Sequence, residues 1–218
     1  MATDRAAPGW TVVLPVKGGD SAKSRLAVPD RISLARAVAL DTVAAVTAAD
    51  GVVQRVLVVT GDARAAAEHA ALGATVVADP GPDLAAALRA GLEAAGRQAP
   101  ERPCAVLLAD LPALTADDVR LGLAACADAL ASGARQVTVP DADGTGTTLL
   151  AAASPAVLTP SFGAGSAGRH AVVAHVLTDV PWALRHDVDT AHQLDAVLAH
   201  GAGPRTRAVV AGPARDAG

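Results

Sequence analysis

The chain has 218 residues, 51% of them hydrophobic, and a formal net charge of -4 at pH 7. That length suits one domain with an ample core, and the charge argues against a duplex nucleic-acid binder, whose affinity rests on lysines and arginines facing phosphates. One Phe, two Trp and no Tyr leave too few rings for the base stacking of a single-strand binder. Residues 1–9 carry Asp4, Arg5 and Pro8 without an apolar run, so no signal peptide is predicted. No stretch of about 18 uncharged apolar residues predicts a membrane span. Cys104 and Cys126 are too few and too far apart for a metal knuckle or a redox pair, which points to a reducing cytoplasm.

Short apolar runs alternate with longer Ala/Leu segments of helical period. Trp10–Val16 is predicted as a buried strand and 30–49 as a helix capped by Asp30. A strand over Val56–Thr60 precedes a helix over 62–72. A short strand over Thr75–Ala78 precedes a helix from Asp83 to Gly96. A fourth strand, Ala105–Ala109, leads to a helix over Ala116–Ala131 behind Thr115. Two further strands, Gln136–Val139 and 148–153, are joined through an Asp143-Gly144 turn. A glycine-rich loop, Phe162–Gly168, leads to a helix over Arg169–Leu177, then a last strand over Trp182–Val188 and a helix over Ala191–His200. One domain over 1–201 and a disordered tail over 202–218 are expected. The fold class is α/β: a single Rossmann-like three-layer sandwich with a mostly parallel central sheet covered on both faces.

Such sheets bind ligands outside the carboxyl ends of their strands. Lys17 follows the first strand, Thr60-Gly61-Asp62 the second, Asp79-Pro80-Gly81 the third and Asp110 the fourth. Lys17 and Lys23 are the only lysines, against sixteen arginines. Two compact ammonium groups beside Gly18 and Gly19 suit a phosphate chain, where a planar guanidinium is less adaptable; a solvated loop is the alternative. No G-x-x-x-x-G-K-[ST] occurs. Gly163, Gly165 and Gly168 match G-x-G-x-x-G formally, but Pro155 and Pro160 interrupt the strand that fingerprint requires. That loop, with Ser166, suits an anion cradle or a plain surface loop. Asp110 is not needed as a helix cap, because Thr115 with Asp118 supplies one; a hard carboxylate there suits Mg²⁺ beside triphosphate oxygens. Asp187 and Asp189 lie on one side of an extended run, with Asp189 or Thr190 as the next helix cap.

Taken in order, Pro15-Val16-Lys17, Ala22-Lys23-Ser24-Arg25-Leu26, Asp79-Pro80-Gly81, Leu108-Ala109-Asp110-Leu111-Pro112, Asp141-Ala142-Asp143-Gly144, Phe162-Gly163-Ala164-Gly165-Ser166 and Asp187-Val188-Asp189-Thr190 resemble a known family. It is the guanylyltransferases that activate phosphoenolpyruvate or 2-phospho-L-lactate in coenzyme F(420) biosynthesis, within the nucleotidyltransferases of nucleotide-diphospho-sugar transferase type. The resemblance implies GTP and a small phosphorylated carboxylic acid as partners and Mg²⁺ as cofactor. It implies Lys17, Lys23 and Arg25 along the triphosphate, with the nucleotide beside Gly18, Gly61, Gly81 and Asp83. Thr148, Gly163 and Ser166 are implied at the acid's phosphate and carboxylate, and Asp110 with Asp189 or Asp187 at the metal. Where the family has an Asn after Asp83-Leu84, Ala85 stands. The Ala- and Arg-rich usage of a high-GC bacterium makes phosphoenolpyruvate the expected acceptor. The rivals are 2-phospho-L-lactate, a molybdopterin-type acceptor, or a non-catalytic nucleotide-binding module.

Overall fold

The computed structural model describes residues 9–17, 30–81 and 83–212. At its centre lies β1 (Trp10–Pro15), buried along its whole length. It pairs in parallel with β2 (Val53–Thr60) on one side and with β4 (Cys104–Leu107) on the other. β3 (Thr75–Ala78) extends the sheet in parallel beyond β2. On the far side β6 (Thr147–Ala152) inserts between β4 and β5 (Gln136–Pro140), antiparallel to both, and β7 (His175–Val176) runs parallel to β5. The order is β3-β2-β1-β4-β6-β5-β7, so β6 alone runs against the rest.

The apolar runs are continuous because both sheet faces are covered. Val12, Leu14, Val56 and Val58 belong to one core and Val13, Leu57 and Val59 to the other, the period-two alternation of a strand. The first core is closed by α1 (Arg31–Thr47), α4 (Ala116–Ala131) and α6 (Ala191–His200), while α2 (Ala63–Ala71) lies against β2, β3 and α1. The second is closed mainly by α3 (Leu84–Gln98). α3 can lie so near the sheet because Gly91 has no side chain: a Cβ there would overlap Val13 and stand 2.9 Å from Cγ2 of Val59.

Local signals hold where a side chain caps its own helix. Asp30, Asp62 and Asp83 cap α1, α2 and α3, and Thr115 caps α4 in a reciprocal pair with Asp118.

Three expectations need correction. The helix predicted over 169–177 is α5 (Ser166–Ala171), after which the chain turns into the edge strand β7. The strand predicted over 182–188 is a 3-10 turn, Trp182–Leu184, followed by a segment outside the sheet. Much of the stretch after Gly201, expected as a disordered tail, forms α7 (Pro204–Ala211). The carboxylate of Asp41, on α1 and only 5% exposed, accepts the backbone N–H groups of Arg205 (3.2 Å) and Thr206 (2.8 Å), which satisfies the opening turn of α7. Residues 213–218 lie outside the described residues. No helix among the described residues is long and apolar enough to cross a membrane.

Candidate functional site

The chain moves outward from β1 in both directions, to β2 and to β4, and so leaves a crevice at their carboxyl ends. A cleft of about 280 Å3 lies there, lined by Lys17, Leu84, Asp110 and Asp189 together with the backbone around Pro15 and Ala109. A larger hollow, of about 460 Å3, sits between α3 and the Pro155–Val157 turn. It is mostly apolar with one Arg89 and one Glu93, and lacks the paired acids of the smaller cleft.

Each wall of the cleft is held by backbone. The β1 ladder continues one residue past the strand, with the N–H of Val16 donating to Val59 O at 2.8 Å, and Lys17 follows. Leu108 N–H donates to Thr148 O at 2.9 Å, which lays the approach to Asp110 alongside β6. Val188 N–H donates to Asp110 O at 3.1 Å, joining the two acidic segments directly. Thr190, not Asp189, is the N-cap of α6, in a reciprocal pair with Gln193. The Gln193 side chain also accepts from Asp189 N–H at 2.9 Å, so the cap fixes the backbone of the acid that lines the cleft. Asp187 is not among the lining residues.

The segment before these acids is braced from two sides. The Trp182 ring is stacked between His186 and His200, with centroids 3.5 and 4.0 Å away. The Arg185 guanidinium donates to the carbonyls of Pro140 (3.1 Å) and Asp141 (3.0 Å) at the turn between β5 and β6. The donor set is two carboxylates facing one cleft, and the described residues contain no cluster of three or more His, Cys, Asp or Glu able to hold a metal. Two hard oxygen ligands with room for water and phosphate fit Mg²⁺, and a tetrahedral nitrogen–sulfur site does not.

Of the residues predicted along the nucleotide, Gly18, Lys23 and Arg25 lie outside the described residues. Gly61, Gly81 and Asp83 sit in the loops beside the cleft without lining it. Gly81 adopts φ +60 and donates its N–H to Asp79 Oδ1 at 2.8 Å. Asp83 has a structural task, accepting the N–H of Ala86 at 2.8 Å.

Ser166 opens α5 and donates its N–H to Gly163 O at 3.0 Å, while Thr148 lies on β6. Ala167 N–H donates to Thr145 O at 3.2 Å, tying α5 to the turn that precedes β6. Thr148 is buried, its hydroxyl donating to Val139 O at 3.3 Å. Ser166 is 1% exposed, and its Oγ has no hydrogen-bond partner among the described residues, a costly state that a polar ligand or water would relieve. Gly163 and Gly165 adopt φ +109 and +70, conformations that disfavour any side chain. The Arg169 guanidinium then gathers the loop's carbonyls, donating to Ser161 O (2.8 Å) and Ala164 O (2.7 Å), so the loop is closed on itself.

No local motif surrounds the histidines in the sequence, yet His170 is fully buried beneath this loop. Its Nε2 accepts the N–H of Ser161 and its Nδ1 lies against Thr147 Oγ1, both at 2.8 Å. Burial, then the Arg169 charge, holds its pKa below the usual histidine value. Its partners are 9 and 23 residues away in sequence, and no local pattern announces them. Arg185 was equally unannounced, since its acceptors are carbonyls some 45 residues earlier.

Residues 34–180 match the family described as MobA-like NTP transferase domain. A phosphoenolpyruvate guanylyltransferase of Streptomyces coelicolor is 47% identical over 93% of this chain and 96% of its own length. Another, of Geodermatophilus obscurus, is 43% identical over 98% of this chain and 99% of its own. Among solved structures, a Desulfovibrio desulfuricans protein assigned as a nucleotide-diphospho-sugar transferase has a TM-score of 0.62 at 16% identity, covering 86% of this chain and 85% of that one. A 4-diphosphocytidyl-2C-methyl-D-erythritol synthase from Anaerococcus prevotii has a TM-score of 0.56 at 12% identity, over 88% and 98%; at such identities the likeness concerns the fold alone. With paired acids and a lysine at the carboxyl edge of this sheet, and relatives matching end to end, the chain belongs to the phosphoenolpyruvate guanylyltransferase family of MobA-like NTP transferases.

Proposed function

We propose that this chain transfers GMP from GTP to phosphoenolpyruvate in coenzyme F(420) biosynthesis. The products are enolpyruvoyl-2-diphospho-5'-guanosine and pyrophosphate. A phosphate oxygen of the acid attacks the α-phosphorus of GTP in line, and the bond from that phosphorus to the bridging oxygen of the β-phosphate breaks. The electron pair leaves on pyrophosphate. The nucleophile is already an anion, so no general base is required; the barrier is the approach of two anions and the charge on the leaving group.

The observation that carries this reading is the meeting of Lys17, Asp110 and Asp189 in one cleft, one residue's reach from the β6 strand that bears Thr148. Asp110 and Asp189 would hold Mg²⁺, which supplies charge neutralisation at phosphate oxygens when bound. Lys17 lies where an ammonium can follow the phosphate chain, with Lys23 and Arg25 as its proposed companions. Thr148, Gly163 and Ser166 would take the acceptor's phosphate and carboxylate, with the Ser166 hydroxyl gaining the partner it lacks. A cytoplasmic setting accompanies this reading, because both substrates are metabolites of that compartment.

The test is incubation with GTP, Mg²⁺ and either phosphoenolpyruvate or 2-phospho-L-lactate, with pyrophosphate release and product mass followed together. Release with phosphoenolpyruvate is expected. Release with 2-phospho-L-lactate alone would replace the acceptor, and GTP binding without release from either acid would leave only a binding module.

A further inference from the structure

We propose that His170 is the positioning residue of the acceptor loop: its buried imidazole ties β6 to the loop and holds Thr148, Gly163 and Ser166 as one anion-binding unit. The inference rests on the acceptor reading given above. A backbone N–H can only donate, so the bond from Ser161 N–H at 2.8 Å requires Nε2 to be an unprotonated acceptor. In the neutral ring the proton is then on Nδ1, which donates to Thr147 Oγ1 at 2.8 Å. One end of the ring therefore grips the residue beside Thr148. The other grips the chain two residues before Gly163. His170 itself stands one helical turn after Ser166 on α5.

The ring is fully buried and its position is fixed on a third side by Phe162, whose ring meets it edge to face at 5.1 Å. The groups facing it from β6 and from the loop, Thr147, Ser161 and Phe162, are uncharged; the charge that faces it is Arg169, from its own helix. A second proton would break the bond from Ser161, because Nε2 would then be a donor facing a donor. Protonation thus unlocks the loop, and the acceptor site weakens with it. His170 touches neither substrate in this account and acts through the loop.

The test is steady-state kinetics with GTP and phosphoenolpyruvate for the wild type, His170→Ala, His170→Gln and Thr147→Val. His170→Ala is expected to raise KM for the acid roughly tenfold, the scale of a buried hydrogen bond left unmade, with KM for GTP within about twofold. His170→Gln, whose Oε1 can accept from Ser161 N–H, is expected to recover most of that loss. Thr147→Val is expected to fall between, and it carries the test with His170→Gln should His170→Ala fail to fold. Below about pH 6 the wild type should lose affinity for the acid more steeply than His170→Gln, in which the acid's own ionisation is unchanged. An unmoved KM for the acid, or an equal rise for both substrates, overturns the inference alone. Absence of turnover by the wild type overturns the acceptor reading and this inference with it.

Discussion

Two glycines on α3 offer a direct test of how the sheet and its helix layer fix the cleft. Gly91 faces the sheet, where a Cβ would overlap Val13 and approach Val59 Cγ2 at 2.9 Å. Both valines are fully buried, and β-branched side chains in strands have little rotamer freedom with which to yield. Overpacking of this kind costs about 1–3 kcal/mol. Replacing a mid-helix glycine by alanine meanwhile gains about 1 kcal/mol from propensity. The overlap wins at Gly91, and we expect Gly91→Ala to lose about 1 kcal/mol net, a fall in Tm of roughly 2–4 °C for a chain of this size. Gly96 lies on the same helix with nothing within 4 Å of its missing Cβ, so only the propensity gain remains. Gly96→Ala should raise Tm by roughly 2–4 °C. Since Leu84 at the start of α3 lines the cleft, Gly91→Ala should also disturb turnover, and Gly96→Ala should not. Differential scanning calorimetry of both variants decides the matter. Shifts of the same sign would refute the argument that α3 is placed by the absence of a side chain at Gly91.

Three further outcomes follow from the structure. Burial holds His69 and His170 below the usual histidine value, with Arg205 and Arg169 respectively as lesser causes in that direction, so their contribution to stability is complete above that value and is lost as pH falls through their folded-state values; Tm should drop between about pH 7 and pH 5, and a flat profile contradicts this. Further down, Glu68 loses the bidentate bond from Arg36 that keeps its carboxyl below the usual range, adding a second decline below about pH 4. Burial pushes the thiols of Cys104 and Cys126 up to about 12, so a thiol reagent should modify neither in the native protein and both in denaturant; rapid native labelling would place one of them at the surface. Ser166→Ala should raise KM for the acid and leave KM for GTP nearly unchanged, and the opposite pattern would move Ser166 into the nucleotide site.

What could be read from the sequence divides along contact range. Asp62, Asp83, Thr115 and Thr190 announce their helices because each bonds to an N–H two or three residues on, and such pairs are visible in a linear string. Strands β1, β2 and β4 follow from apolar runs largely buried on both faces, and β3, at the sheet edge, is a short apolar run only partly buried. Asp110 stands out as the acid that follows a buried apolar run, whereas the sequence leaves Asp187 and Asp189 as alternatives, of which Asp189 lines the cleft. The insertion of β6 between β4 and β5 was not legible, since the partner of a strand is chosen by non-local packing. Trp182–Val188 carries apolar residues of strand-like character, but the Trp182 ring is satisfied by stacking between two histidines instead of by a sheet face. Residues 204–211, expected within a disordered tail, are anchored by one buried acid, Asp41, more than 160 positions earlier. The excess of arginine over lysine singled out Lys17, which does line the cleft, whereas Lys23 lies outside the described residues.

In the function proposed here, GMP passes to the acid in the cleft bearing Lys17, Asp110 and Asp189. The most direct test is the rate at which guanylylated phosphoenolpyruvate forms, followed by mass, for the wild type and for Asp110→Asn, Asp189→Asn and Asp187→Asn. Product is expected from the wild type, with losses of about 100-fold or more for Asp110→Asn and Asp189→Asn and a change of only a few-fold for Asp187→Asn, a residue not among those lining the cleft. Full turnover by Asp110→Asn, or collapse in Asp187→Asn with Asp189→Asn unaffected, would contradict the proposed function.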